Sequence, residues 1–314
     1  MQAMIKIDRL RKDFGRFTAV DDISFEVNQG EVLGFLGPNG AGKSTTMKMI
    51  TGYLPPSSGS VTVAGYDVAE HPLEVKRRIG YLPEGAPAYP DMTPADFLDF
   101  IAEVRGFRGK EKQRRVQDTV RQVSLEDVLH QPIDTLSKGF KRRVGLAQAI
   151  LHDPQVLIMD EPTDGLDPNQ KHEVRTLIGN MAREKVIILS THILEEVHAV
   201  CSRAIIIARG RIVADGTPEE LEAKSQWHNS VTLTLSPGKD SPEQVREQLE
   251  AMPGVARLET LPGHDNRLRY QLYPHAARPI LADVSRMVHE RQWEVEEMRQ
   301  NQGRLDDVFR AITA

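Results

Sequence analysis

The sequence predicts an α/β protein. It is built on a mostly parallel core sheet, with an antiparallel N-terminal β-subdomain, a helical subdomain and a small α+β domain towards its C-terminal end. Three observations predict this. Four runs, EVLGFLG (31–37), QVLIMDE (155–161), KVIILSTH (185–192) and RAIIIARG (203–210), are continuously apolar, as strands covered on both faces of a parallel sheet are. Other short runs alternate: Ile5 and Ile7, then Ile23, Phe25 and Val27, then Val61 and Val63, the period-two pattern of half-buried antiparallel strands. Three of the four apolar runs end in a polar cluster, and in an open α/β sheet ligands collect beyond the carboxyl ends of the strands. The clusters Gly37 to Ser44, Asp160 with Glu161, and Ser190 to His192 are therefore expected to meet at one site.

Taken in order, the alternating strands and the first apolar strand lead into KSTTMKMITGYL, which reads as a helix. From about 90 to 153 the pattern is helical, with PADFLDFIAEVRGF, KEKQRRVQDTVRQV and FKRRVGLAQAILH as the candidate helices of the inserted subdomain. The other three apolar strands follow, to about residue 222. From about 229 the character changes. Strand (231–235), helix (242–252), strand (255–261), strand (267–273), helix (276–291) and strand (294–298) follow one another, with RLDDVFRAIT as a last short helix. That βαββαβ order predicts a ferredoxin-like domain over 229–314. The first domain is expected to span 1–222.

A chain of 314 residues is long enough for a large domain and a smaller one, each with its own core. The net charge of −5 provides no global basic field to hold nucleic acid, so any anion site has to be local. The single cysteine, Cys201, cannot form an intramolecular disulfide and reads as a small packed residue. No stretch approaches the roughly 18 apolar residues of a membrane span. The start, MQAMIKIDRL, lacks the apolar segment of a signal peptide. Work at a membrane would therefore go through a partner.

The chemistry sits in the polar clusters. GPNGAGKST, residues Gly37, Pro38, Asn39, Gly40, Ala41, Gly42, Lys43, Ser44 and Thr45, fits G-x-x-x-x-G-K-[ST] between a strand and a helix. In that motif backbone N–H groups converge on phosphates, the lysine reaches the β and γ oxygens, and the serine hydroxyl binds Mg²⁺. Asp160 and Glu161 place adjacent carboxylates at the end of a buried strand, a repulsive pair unless a cation and a reacting water use them. Asp160 suits Mg²⁺, and Glu161 suits the water that attacks the γ-phosphate. His192, at the same sheet edge, is a candidate donor to that phosphate. TLSKGFKRR (135–143) is harder to place, because four cations crowd a helix start where the dipole is already positive.

With these motifs in order, the chain resembles the ATP-binding subunits of ABC transporters over about residues 4–220. Phe14 of RKDFG stands where that family stacks adenine. YLPE (81–84) takes the Q-loop position, LSKGF (136–140) the signature and TDGLD (163–167) the D-loop. The resemblance implies an ATPase of two copies arranged head to tail. Each ATP would lie between one copy's phosphate loop and the other's signature, so Ser137 and Gly139 are expected to face the partner's γ-phosphate and Asp167 to belong to the same shared site. It also implies a membrane permease as partner, placing the protein at the cytoplasmic face of the membrane. Arg142 and Arg143 remain open in this reading.

Glu84 departs from the family's usual glutamine. Its carboxylate still suits Mg²⁺ or the attacking water but donates no hydrogen bond unless protonated. Lys138 and Phe140 depart from the common LSGGQ. Together with GYLPE and the C-terminal domain, they resemble the ATPases of type-2 exporters, closest to the gliding-motility (GldA-like) group. The alternatives are an ATP-gated scaffold that moves no substrate, and a soluble ATPase of this type acting on nucleic acid or the ribosome. One phosphate loop and a short insertion argue against the latter.

Overall fold

Two strands that differ in length from all the others begin the chain: β1 (Ile5–Phe14) and β2 (Phe17–Val27) form a long antiparallel hairpin. The computed structural model describes residues 3–262 and 267–313. β3 (Val32–Leu36) then enters the core, α1 (Lys43–Ile50) follows the glycine loop, and β4 (Ser58–Val63) and β5 (Tyr66–Asp67) return to the hairpin. The antiparallel sheet has the order β2-β1-β4-β5. Its alternating side chains, Ile5, Ile7, Ile23, Phe25, Val61 and Val63 among them, join one core with the strands of the second sheet.

α2 (Pro72–Arg78) and β6 (Ile79–Leu82) precede the helical segment of α3 (Pro94–Val104), α4 (Gly109–Gln122) and α5 (Lys138–Ile150). Then β7 (Val156–Asp160), α6 (Pro168–Ala182), β8 (Val186–Thr191), α7 (Leu194–Val200), β9 (Arg203–Ala208) and β10 (Arg211–Gly216) complete the sheet of order β10-β9-β3-β8-β7-β6. The four continuously apolar runs are β3, β7, β8 and β9, paired in parallel and buried along almost their whole length. β6, parallel to β7, was not expected: IGYL is four residues long, with a glycine in the middle, too short a run to read by periodicity. Because β3, β7 and β8 run in parallel, the loops after all three open at the same edge.

Contact density divides the chain near residue 218, with one unit ending at Pro218 and the other running from Glu219 to Ile312. After α8 (Pro218–Glu222), the second unit holds β11 (Val231–Leu235), α9 (Pro242–Glu250), β12 (Val255–Leu261), β13 (Leu268–Pro274), α10 (Leu281–Arg291), β14 (Val295–Gln300) and α11 (Leu305–Thr313). The sheet order β12-β13-β11-β14, antiparallel throughout, is ferredoxin-like. Val231, Leu233 and Leu235 pack with Val245, Leu249, Val284 and Val288 of α9 and α10. The helix expected to start at 276 begins at Leu281 instead. Pro279 holds Arg278 extended, at ψ 133°, and ends the short turn before it.

Candidate active site

The loop after β3 is shaped by its own backbone and by β2. Gly42 caps α1 with φ 110°, and a Cβ there would lie 2.6 Å from the Ala19 carbonyl oxygen, so glycine alone fits both demands. The Ala41 N–H donates to the Pro38 carbonyl at 3.1 Å, tightening the turn. Lys43 is buried, and its Nζ donates to the carbonyls of Gly37 at 2.7 Å and Pro38 at 3.2 Å, curling the side chain over the loop. Burial holds its pKa below the usual lysine range, against the opposing pull of Glu161, Asp160 and Glu84.

At the end of β7, Asp160 is 2% exposed. Its Oδ1 accepts from the Ser190 hydroxyl of β8, whereas Oδ2 is buried without a hydrogen-bond partner among the described residues. A carboxylate oxygen left in that state suits a hard cation. Ser44 and Glu84 line the same cleft and would complete an all-oxygen donor set. Glu161 adopts φ 50°, uncommon for a non-glycine residue, with its N–H donated to the Ser190 carbonyl at 3.2 Å and to Ser190 Oγ at 3.0 Å. Its Oε1 lies 3.1 Å from His192 Nδ1.

One cleft of about 370 Å³ brings together Phe14, Asn39, Gly40, Gly42, Lys43, Ser44, Thr45, Glu84, Asp160 and Glu161. His192 joins them through Glu161, and Gly37, Pro38 and Ala41 hold the loop without lining the cleft. Phe17, which pairs with Phe14 across the hairpin, lines it too and was not singled out from the sequence. At 62% exposure it stands out even further than Phe14, at 50%.

Ser137, Gly139 and Asp167 do not line this cleft. Ser137 caps α5, its Oγ accepting from the Phe140 N–H at 3.3 Å. Asp167 caps α6 in a reciprocal box: Asp167 Oδ1 accepts from the Gln170 N–H at 2.9 Å and Gln170 Oε1 from the Asp167 N–H at 3.4 Å. Gly139 lies against that glutamine, and a Cβ there would run into its side chain. The crowding of charge at the start of α5 is resolved by direction. Lys141 Nζ donates to the Asp134 carbonyl at 2.8 Å, while Arg142 and Arg143 turn inward and are buried. Sequence reasoning left both arginines open, since helical spacing gives a face but not the main-chain oxygens waiting there.

A glycine loop at a helix N-terminus, facing an acid pair at the end of a neighbouring parallel strand, defines a nucleotide-binding ATPase of the phosphate-loop class. Residues 20–164 match the ABC transporter family. The chain is 36% identical over 234 residues to the linearmycin resistance ATP-binding protein LnrL of Bacillus subtilis, covering 74% of this chain and 75% of that one. It is 38% identical over 259 residues to the Nod factor export ATP-binding protein I of Paraburkholderia xenovorans, covering 82% and 83%. A solved ATP-binding subunit of an ABC transporter shares the fold with a TM-score of 0.65 and 32% identity, over 70% of this chain and 92% of that one. This chain belongs to the ATP-binding proteins of the ABC transporters, and its fold is the α/β fold of their ATPase domain.

Proposed function

We propose that this protein hydrolyses ATP to power a separately encoded type-2 ABC permease in export, working as an ATP-sandwich dimer of two copies at the cytoplasmic face of the membrane. The observation that carries the hydrolytic part is the single cleft that holds the phosphate loop, the partnerless Asp160 oxygen and Glu161 together. Mg²⁺ would be held by the Ser44 hydroxyl, Asp160 and Glu84, and when bound would neutralise charge on the β- and γ-phosphates. Lys43 exchanges its loop carbonyls for phosphate oxygens. Glu161 accepts a proton from the attacking water, and His192, steadied by Glu161, donates to the γ-phosphate.

The separation of Ser137, Gly139 and Asp167 from this cleft supports the two-copy reading, since a second chain can supply them. Export is supported by the similarity to a Nod factor export protein. The type-2 class, and within it the gliding-motility (GldA-like) group, is supported by LSKGFKRR, GYLPE and the C-terminal domain. A permease partner is supported by a groove of about 820 Å³ lined by Tyr53, Leu73, Tyr81, Val104, Lys76 and Arg105, three of whose apolar members are strongly exposed. Among the described residues no helix is long and apolar enough to cross a membrane.

Glu161→Gln tests the reading. Turnover should fall by about 10³-fold while ATP and Mg²⁺ convert the protein to a dimer, measured by phosphate release and light scattering. A variant that stays monomeric with saturating ATP would sink the sandwich, and one that still turns over would sink Glu161 as the base.

A further inference from the structure

Arg142 lies one turn into α5 and is 6% exposed. Among the described residues its hydrogen bonds all go to main-chain carbonyls. Nη1 donates to Pro83 at 3.2 Å, and Nη2 donates to Asp160 and to Glu161. A buried guanidinium with no carboxylate to bond is an expensive way to fill space, and an apolar side chain of the same length would do it better. What the guanidinium adds is geometry. Pro83 immediately precedes Glu84, so one planar group ties the segment bearing Glu84 and the end of β7 to the helix that begins with Ser137 and Gly139.

The effect on Glu161 is specific. Its N–H is held by Ser190, and its carbonyl by Arg142 and by the Asp164 N–H at 3.2 Å, so both peptide units flanking its Cα are fixed. A non-glycine residue keeps a φ of 50° where its surroundings over-determine it, and these three anchors do so, Arg142 being the one that comes from a helix. Burial holds the guanidinium's pKa below the usual arginine range, against the opposing pull of Asp164, Asp160, Glu161 and Glu84. Arg143, next along and just as buried, differs in every partner. It pairs with Glu173 at 2.7 Å and donates to the Val123 carbonyl at 3.2 Å, away from the cleft.

We propose that Arg142 is a positioning residue for hydrolysis: it holds the Glu161 backbone and the Pro83–Glu84 segment in fixed relation to α5, linking the hydrolytic half of one ATP site to the signature half of the other. This rests on Glu161 being the base, as proposed above.

The test uses the full chain and compares Arg142→Met, Arg142→Lys, Arg143→Met and Glu161→Gln in kcat, KM for ATP with Mg²⁺, and melting temperature. Arg142→Met should lower kcat by about 10²-fold, with KM within about threefold and melting temperature nearly unchanged. Arg142→Lys keeps the charge but replaces the wide planar fork by a compact ammonium on a shorter stem, and should recover about tenfold of that loss. Arg143→Met should lower the melting temperature and leave kcat within about twofold of the parent. Should Arg142→Met fail to fold, Arg142→Lys decides on the same readings. The proposal is overturned if the Arg142 variants keep kcat within about threefold while Glu161→Gln is inactive, or if kcat, KM and stability decline together in both. Turnover by Glu161→Gln would instead remove the base assignment on which the proposal rests.

Discussion

Two sets of buried polar side chains, one in each unit, are treated in opposite ways. In the ferredoxin-like unit, Thr232 Oγ1 donates to Gln271 Oε1 at 2.7 Å, Gln271 Nε2 to Ser230 Oγ at 2.8 Å, and Asn301 Nδ2 to Thr232 Oγ1 at 2.9 Å. These side chains satisfy one another, and the set closes. At the carboxyl edge of the six-stranded sheet the set does not close: among the described residues Asp160 Oδ2 has no partner, and the buried Lys43 ammonium falls back on the carbonyls of its own loop. A closed set stabilises a fold, whereas an open set beside a cleft keeps its interaction energy for something that arrives later.

The comparison breaks most visibly at Lys43. If its charge is reserved for phosphate, Lys43→Ala should weaken ATP binding by about 10²-fold, because a charge-assisted contact in a partly desolvated cleft is lost. The folded state should be no less stable, and could gain, since burial disfavours the charged ammonium it removes. Titration with a fluorescent ATP analogue, beside thermal melts, separates these. Loss of stability with unchanged affinity would make Lys43 a structural tether and erase the contrast between the two sets.

The opposite outcome is expected at Gln271, 1% exposed and bonded on both ends of its amide. Gln271→Leu keeps the volume but leaves Thr232 Oγ1 without its acceptor and Ser230 Oγ with Asn301 as its one remaining side-chain donor, so the second unit should lose about 2 kcal/mol. Denaturant unfolding of the full chain measures that loss, and ATP turnover should stay within about twofold. A fall in turnover as large as that from a cleft variant would show that this network also serves the site.

The open half of this contrast is legible in the sequence itself. The four apolar runs announced the parallel strands because burial on both faces removes every polar position from a strand, and the glycine loop announced itself because few residue types allow φ 110° against a neighbouring backbone. The acid pair was legible for the same reason as a charge anywhere in an apolar run: it is costly without a use. Other features had no such signal. β6 is too short to show a period, Ser190 looked like part of a polar cluster and not like the residue holding both Asp160 and Glu161, and Arg142 depends on carbonyls, which every residue has. Main-chain partners are silent in a sequence because no side-chain type encodes them.

The smallest effect concerns the aromatic edge of the cleft. The sequence singled out Phe14 by its place in a motif, yet Phe14 and Phe17 are hairpin partners that both line the cleft, and Lys12 Nζ lies 5.3 Å from the Phe14 ring centre. A half-exposed ring contributes little to the fold, so Phe14→Ala should leave the melting temperature unchanged. It should weaken ATP binding by about fivefold, the loss of one stacking contact of about 1 kcal/mol. Because Lys12 already stands over that ring, a stacked base would share it with a cation, and the affinity lost should be smaller at high salt. Phe17→Ala is the discriminating partner experiment: if it lowers affinity and Phe14→Ala does not, the base stacks on the second strand of the hairpin. The open polar set of the cleft would then be flanked by an aromatic that no motif position indicated.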